Sequence, residues 1–199
     1  MDQHSRDNLK TLIKRLSEVD YVHPEDIPNI DLYVDQVTTF IDSQLTSVKR
    51  TPEEKTLTKT MINNYTKNHV LPSPEKKKYS RDHVLLLIMI YYLKNFLSIK
   101  DIKSIFEPLS ERFFESSGDL SFFDIYTELV KLEKTESRSL MRDLLQKYSD
   151  AQSTFSDAPE EDRELLRNFS FICTLAFDVY LKKMMIENLI DLMNENEET

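Results

Sequence analysis

The sequence predicts an all-α protein, and three features of its composition carry that prediction. Only one glycine occurs among the 199 residues, although the turns that join strands favour glycine. Hydrophobic residues make up 40% of the chain, which is enough for the core of one domain or of two small ones. Several segments repeat apolar residues at the three- and four-residue spacing of amphipathic helices. The scarcity of glycine also excludes phosphate-cradling loops and dinucleotide-binding fingerprints.

The first third of the chain predicts two helices separated by a connector. An amphipathic pattern spans residues 7–19, and two prolines interrupt residues 21–29. Asp31 is expected to cap a second helix over residues 32–45. A capping box then predicts a further helical turn, and its residues are Thr51, Pro52 and Glu54.

The stretch from Leu57 to Leu71 (LTKTMINNYTKNHVL) predicts a helix with two different faces. Its apolar side carries Leu57, Met61, Ile62 and Tyr65. Its other side carries a polar stripe, which consists of Thr60, Asn63, Asn64 and Lys67. Amides and hydroxyls suit base edges, and an asparagine can pair with adenine through two hydrogen bonds. Asn68 is expected to end this helix in the left-handed conformation.

Positive charge is concentrated around this helix. The formal net charge of the chain is -9. Residues 49–82 nevertheless contain nine basic and four acidic side chains, so they carry +5 and the remainder carries -14. Within them lies a basic turn, residues 76–81, whose cations are Lys76, Lys77, Lys78 and Arg81. Such segregation favours phosphate binding by one patch of an otherwise acidic protein.

The second half predicts helices that begin at clear caps. Ser80 is expected to cap a strongly apolar helix ending near Leu97, and Ser98 to cap the next, with Asp101 in its first turn. Residues 120–152 predict one long helix or two shorter ones.

The final helix, from Glu161 to about Met193, carries a nearly heptad apolar pattern that Lys183 interrupts. We expect this helix to be buried on more than one side, first by its own chain and alternatively by a second copy. Two apolar runs, Val84–Leu93 and Phe169–Leu181, are too short to span a bilayer, so we expect both to be buried core helices.

Residues that could support catalysis, metal binding or export are not arranged for it. The four histidines, at positions 4, 23, 69 and 83, share no metal-ligand spacing with Cys173. No nucleophile and base recur at a spacing that would bring them together, so we expect neither an enzyme nor a cofactor. A lone cysteine cannot form an internal disulfide, and the first ten residues are polar rather than a signal peptide, which is typical of a cytoplasmic protein.

The order of these segments resembles the winged helix-turn-helix of the mercury-resistance-regulator (MerR) family. Tyr65, Lys67 and residues 70–72 match the end of the second helix in that family, and Tyr79 falls where its wing ends. The resemblance covers residues 31–109 and implies a DNA-contact role for Tyr65, Lys67 and Tyr79. The string LTKTMINNY also resembles the hallmark of an uncharacterised bacterial family, a domain of unknown function usually described as MerR-like.

We therefore expect three parts: an N-terminal helix and connector (1–30), a MerR-like helix-turn-helix domain (31–109) and a C-terminal helical dimerisation or sensing domain (110–199). The expected function is transcriptional regulation through double-stranded DNA, with the helix over residues 58–68 in the major groove. The expected DNA-binding residues are Thr58, Lys59, Thr60, Asn63, Asn64, Tyr65, Lys67, Lys76, Lys77, Lys78, Tyr79 and Arg81. A homodimer would form through the C-terminal helices.

The alternative is a helical protein-interaction module without DNA binding. From Asp150 onward the chain has twelve acidic and four basic residues, which suits a basic partner. The sequence specifies neither an operator nor an effector.

Overall fold

A computed structural model describes residues 3–17, 19, 21–51 and 53–197 of the chain. The chain is about 70% helical, which confirms the all-α prediction. The α-helices of the described residues are α1 (Gln3–Ser17), α2 (Val34–Gln44), α3 (Lys59–Lys67), α4 (Arg81–Leu93), α5 (Ile99–Phe113), α6 (Phe122–Gln152) and α7 (Glu160–Glu197). Two short strands are β1 (Leu32–Tyr33) and β2 (Lys78–Tyr79), and two 3-10 helices are Pro24–Asp26 and Thr46–Val48.

The chain forms two compact units. One unit consists of Glu18–Lys131 with Met193–Thr199, and it contains α2 to α5 and both strands. We call it the hairpin unit after its tight turn at residues 75–78. The long-helix unit consists of Met1–Ser17 with Leu132–Leu192, and it contains α1, the larger part of α6 and most of α7. The expected division of the chain into residues 1–30, 31–109 and 110–199 remains a prediction.

Helix α4 is the centre of the hairpin unit. Residues 84–88 are completely buried, as is Ile90, so this helix has no solvent-facing apolar stripe. Buried side chains from three neighbouring elements complete the core, namely Val37 and Ile41 of α2, Ile62 of α3 and Phe122 of α6. The prediction that the first apolar run is a core helix is thus confirmed, although α4 ends at Leu93 rather than near Leu97.

The strands form an antiparallel pair that the sequence did not predict. Leu32 lies opposite Tyr79 and Tyr33 opposite Lys78. Leu32 and Tyr79 are buried, whereas Tyr33 and Lys78 are exposed, as the alternation of a strand requires. The expectation that Asp31 caps α2 is wrong, because the chain first pairs as β1 and α2 begins only at Val34.

The segment between α2 and α3 is a long loop held by one carboxylate. Asp42 accepts hydrogen bonds from the backbone N–H (3.4 Å) and hydroxyl (3.2 Å) of the buried Thr56, and its oxygen lies 2.8 Å from the Lys49 ammonium. Pro52, placed in a predicted capping box, lies outside the described residues. The Glu54 N–H donates to the Thr51 carbonyl at 3.1 Å.

The helix start at Ser98 follows the predicted chemistry, whereas the helix end at Asn68 does not. Ser98 and Asp101 form the expected reciprocal cap, with the Asp101 N–H donating to the Ser98 hydroxyl at 3.1 Å. Asn68 does not adopt the left-handed conformation, since its φ is -91°. The left-handed residue is His69, with φ of 57°, so the chain turns one residue later than expected.

In the long-helix unit, α6 and α7 pack along one side of each other. Lys147 of α6 pairs with Asp178 of α7, and the rings of Tyr148 and Phe171 meet edge to face at 5.3 Å. The other side of α7 is not covered. Helix α7 therefore contradicts the expectation that the chain itself buries its final helix. None of the helices, over the residues described, combines the length and apolarity needed to cross a bilayer.

Candidate nucleic-acid interface

Helix α3 is anchored by its apolar side and presents its polar side. Its N-cap is Thr58, whose hydroxyl accepts the Met61 N–H at 3.2 Å. Ile62 is completely buried and Tyr65 is 7% exposed, which fixes the rotation of the helix against the hairpin unit. The residues of the polar stripe and Lys59 are exposed: Lys59, Thr60, Asn63, Asn64 and Lys67.

The two asparagines of the stripe differ in their hydrogen bonding. The Asn68 side-chain amide donates to the backbone carbonyl of Asn64 at 2.8 Å and to its side-chain oxygen at 3.0 Å. Within the described part of the chain, the Asn63 amide has no such partner. Asn63 can therefore offer both its donor and its acceptor to a base edge, whereas Asn64 has already engaged its acceptor.

The basic turn begins with a tight hairpin whose central residues are lysines. The Lys78 N–H donates to the Glu75 carbonyl at 2.8 Å and closes the turn. Lys76 and Lys77 both have positive φ, 48° and 66°, the conformation that a two-residue hairpin normally assigns to asparagine and glycine. Non-glycine residues held there cost on the order of 1 kcal/mol each, and such strain clusters at functional sites. All three lysines are exposed.

Side-chain contacts join the two ends of α3 to the neighbouring elements β2 and α2. At the far end of the helix, the buried Tyr79 makes a side-chain hydrogen bond with Thr66. At the near end, Lys59 pairs with Asp35 in the first turn of α2, directly after β1. Burial raises the pKa of the Tyr79 hydroxyl, and the hydrogen bond with Thr66 offsets part of that rise.

Arg81, the last cation of the basic turn, faces the interior of the hairpin unit. Its guanidinium donates to the Pro24 carbonyl at 3.0 Å and lies 3.7 Å from the centre of the Phe123 ring. Its Nε is buried without a hydrogen-bond partner. These contacts hold the connector against the first turn of α6, so this guanidinium is engaged within the protein.

Tyr33 belongs to this surface, although the sequence analysis did not single it out. It is 53% exposed, and the Lys78 ammonium lies 5.8 Å from the centre of its ring. The strand register places it beside the hairpin turn. In each strand one residue is apolar and buried and the other is exposed, but a strand of two residues is too short to be recognised from such alternation in the sequence.

His83 stabilises the base of the hairpin. It is 2% exposed, accepts the Ser80 N–H at 3.0 Å, and lies edge-on to the rings of Tyr79 (5.4 Å) and Phe114 (4.7 Å). Burial lowers its pKa, so the ring is neutral at physiological pH. His83 lies in the first turn of α4, and its ring contact with Tyr79 joins that turn to β2.

Possible metal ligands and the depression beside Arg81 can be compared with known kinds of site. Among the residues the structure describes, no three His, Cys, Asp or Glu side chains lie close enough to hold a metal ion. An open depression of about 220 Å³ next to Arg81 is smaller than typical small-molecule sites. Its lining residues are Asn29, Ile30, Asp31, Ser80, Arg81, Asp82 and Glu115.

Comparison with known proteins places this unit in a family. No curated protein and no solved structure matches the chain. The sequence model of one family, described as a domain of unknown function (DUF1836), matches residues 22–129, which include α2 to α5 and both strands. Because that match covers more than half of the chain, the protein belongs to the DUF1836 family.

Proposed function

We propose that the protein is a DNA-binding transcriptional regulator with a MerR-like winged helix-turn-helix. In this proposal α3 enters the major groove and the hairpin turn contacts the neighbouring phosphates. One observation carries it: the polar stripe of α3 is exposed, and the same helix is tied by Tyr79 and Thr66 to a hairpin with three exposed lysines. A cytoplasmic location accompanies this function.

The residues divide into those that contact DNA and those that hold the surface in place. Asn63 reads a base edge, since its donor and acceptor are both available. Lys67, Lys76, Lys77 and Lys78 neutralise phosphates, and Thr58, Lys59, Thr60 and Asn64 border the groove. Tyr65, Tyr79 and Arg81 act by orientation, because their side chains are engaged within the hairpin unit.

The strained turn adds support for a phosphate-binding role. Two adjacent lysines in the left-handed region cost more than the asparagine and glycine that suit such a turn. A structural turn gains nothing from that choice, whereas a wing that must place two ammonium groups at the tip of a hairpin does. The net charge of -9 disfavours binding elsewhere on the surface, so the positive patch defines the docking orientation.

Salt dependence of duplex binding tests the proposal. Replacing Lys76, Lys77 and Lys78 with alanine should reduce the slope of log K against log salt by about 2 to 3, since each phosphate contact contributes roughly 0.9. The matched control removes three cations from α5: Lys100, Lys103 and Arg112. Its slope should equal that of the wild type. Equal slopes for both triple variants, or no duplex binding at low salt, would overturn the proposal.

A second candidate function rests on the acidic residues at the two ends of α7. Glu160, Glu161 and Asp162 are exposed at the start of α7, as are Asp191 and Glu195 near its end. In this alternative the same fold binds a basic protein partner and not DNA. Partner binding that weakens when these residues are neutralised, together with no duplex binding by the wild type, would favour it.

A further inference from the structure

Helix α7 carries an exposed apolar strip that nothing in the described chain covers. The outer strip consists of Leu165, Phe169, Ile172, Ala176, Val179 and Tyr180. Its five large members are 60–70% exposed. Residues 165, 169, 172, 176 and 179 recur at alternating intervals of four and three residues, which is the spacing of a helix that packs against another helix, and Tyr180 lies next to the last of them. Phe177 and Cys173 lie on the edge of the strip and are also exposed.

The strip is outward-facing because the opposite side of α7 is already occupied. That side pairs with α6 through Asp178, places Phe171 against Tyr148, and donates from the Arg167 Nε to the Thr154 carbonyl at 3.2 Å. The outer strip spans residues 165–180, a segment of 16 residues, and Lys183 follows it. Beyond Lys183 the helix carries both buried and exposed apolar residues, since Ile190 is 4% exposed and Leu189 58%.

The size of the strip suits a second copy of this chain. Taking the 150–250 Å² of an aromatic side chain as the scale for each, the five large members and Phe177, exposed by 60–70%, present roughly 540–1,050 Å² per copy. A standard interface buries about 800 Å² per partner. Isolated apolar residues on a surface need no explanation, but a contiguous patch of this size marks an interaction site.

Charged residues at the two ends of the strip favour a second copy of the chain whose α7 runs antiparallel to the first. Glu161 and Asp162 precede the strip, and Lys183, whose ammonium also lies 2.5 Å from the Glu187 carboxylate of its own helix, follows it on the same side of the helix. Two copies that run antiparallel, centred between Ile172 and Cys173, would bring Lys183 of each beside Asp162 of the other. A parallel pair would set acidic against acidic and lysine against lysine, which is unfavourable.

We propose that α7 pairs antiparallel with α7 of a second copy through the outer strip, with the two-fold axis at Ile172 and Cys173. In that register Phe169 faces Ala176 of the partner subunit, and Leu165 faces Tyr180 of the partner subunit. The self-complementary arrangement closes after two copies, as a two-fold interface must. This inference goes beyond the proposed DNA binding and does not depend on it.

The mass of the full chain in solution tests the assembly. Light scattering should give about 47 kDa at low micromolar concentration, twice the 23.6 kDa of one chain. Phe169→Asp with Ile172→Asp should give one chain mass with unchanged helical circular dichroism. The matched control is Leu189→Asp, which alters an equally exposed residue of α7 outside the strip and should remain dimeric. A monomeric wild type, or a dimer that survives the double substitution, would overturn the proposal.

Cross-linking in a Cys173→Ser background tests the direction. Phe169→Cys and Ala176→Cys chains, mixed in equal amounts, should form a mixed cross-link at least tenfold more readily than either chain forms with itself. Preferential Phe169→Cys self-linking would show a parallel pair and reject the register.

Charge reversal tests the Lys183 contact separately. Lys183→Glu should weaken the dimer at least tenfold, and adding Asp162→Lys should restore it. Failure of that restoration would reject the proposed contact. All three readouts are made without DNA, so a failure here is distinct from a failure of duplex binding.

Discussion

Helices α4 and α7 contain similar apolar runs but have opposite surroundings. Residues 84–88 of α4 are fully buried in the hairpin unit. In α7 the run from Phe169 to Leu181 belongs to the long-helix unit, and Phe169, Ile172 and Tyr180 remain more than half exposed. Apolar composition therefore indicates that a surface must be covered, and the number of neighbouring elements decides whether the chain can cover it. Around α4 three elements do so, whereas α7 is covered on one side by α6.

The largest expected effect is the difference in the free energy of unfolding lost by one substitution in each of these two helices. Ile88→Ala should lower the free energy of unfolding by about 2–5 kcal/mol, because it leaves a cavity in a fully buried site. Ile172→Ala, made in the monomeric Phe169→Asp background, should change it by less than about 0.5 kcal/mol. Urea unfolding of both variants measures the difference. Similar losses at the two positions would mean that the contrast between the helices is wrong.

The next largest effect concerns the exposed polar stripe of α3 in the hairpin unit. Asn63→Ala should lose about 1–3 kcal/mol of binding on the preferred duplex and little on random duplexes, because a base contact carries sequence information. Asn64→Ala should lose less, since its side-chain oxygen is already bonded to Asn68. Competition assays with preferred and random duplexes measure both. An equal loss on every duplex would show that Asn63 does not read a base.

His83 gives a smaller, pH-dependent effect that reports burial in the hairpin unit. Its pKa in the folded state is lowered by burial below the ordinary 6.5, so only the unfolded chain takes up the proton near pH 6. The associated stability is fully present above pH 6.5 and is lost as the pH falls toward the folded pKa, by at most about 1.4 kcal/mol per pH unit. Urea unfolding at several pH values should show a flatter profile for His83→Gln. Identical profiles would argue against a buried neutral ring.

Asp42 gives the smallest effect. The hydrogen bond from Lys49, followed by those from Thr56, lowers its pKa below the ordinary 3.8. The stabilisation is therefore present above that value and is lost as the pH falls through the folded pKa. Because the side chain is 45% exposed, Asp42→Asn should cost less than about 1 kcal/mol near pH 7, and the cost should shrink as the pH falls through the folded pKa. A cost that does not change with pH would contradict this account.

Local chemistry was predictable from the sequence wherever it depended on neighbours along the chain. The cap at Ser98, the inward face of α3 and the burial of α4 follow from spacing and residue type. The exposed polar stripe also follows, since a nine-residue helix with Ile62 and Tyr65 buried has little choice about its other side.

Features that depend on distant contacts were not predictable. The pairing of Tyr33 with Lys78 joins residues 45 positions apart, and Arg81 bonds to a carbonyl 57 positions away. The left-handed residue is His69 rather than Asn68, because the Asn68 side chain returns to the Asn64 carbonyl while its own φ stays negative, at -91°. Whether the chain covers α7 depends on how many elements lie beside it, which periodicity does not encode.

Amide chemical shifts on addition of duplex DNA test the central claim most directly. The side-chain amide of Asn63 and the backbone of residues 75–79 should shift at stoichiometric duplex, and the outer strip of α7 should not. The duplex would then occupy the polar face of the hairpin unit, as proposed. Shifts confined to α7, or none in residues 58–79, would contradict the account.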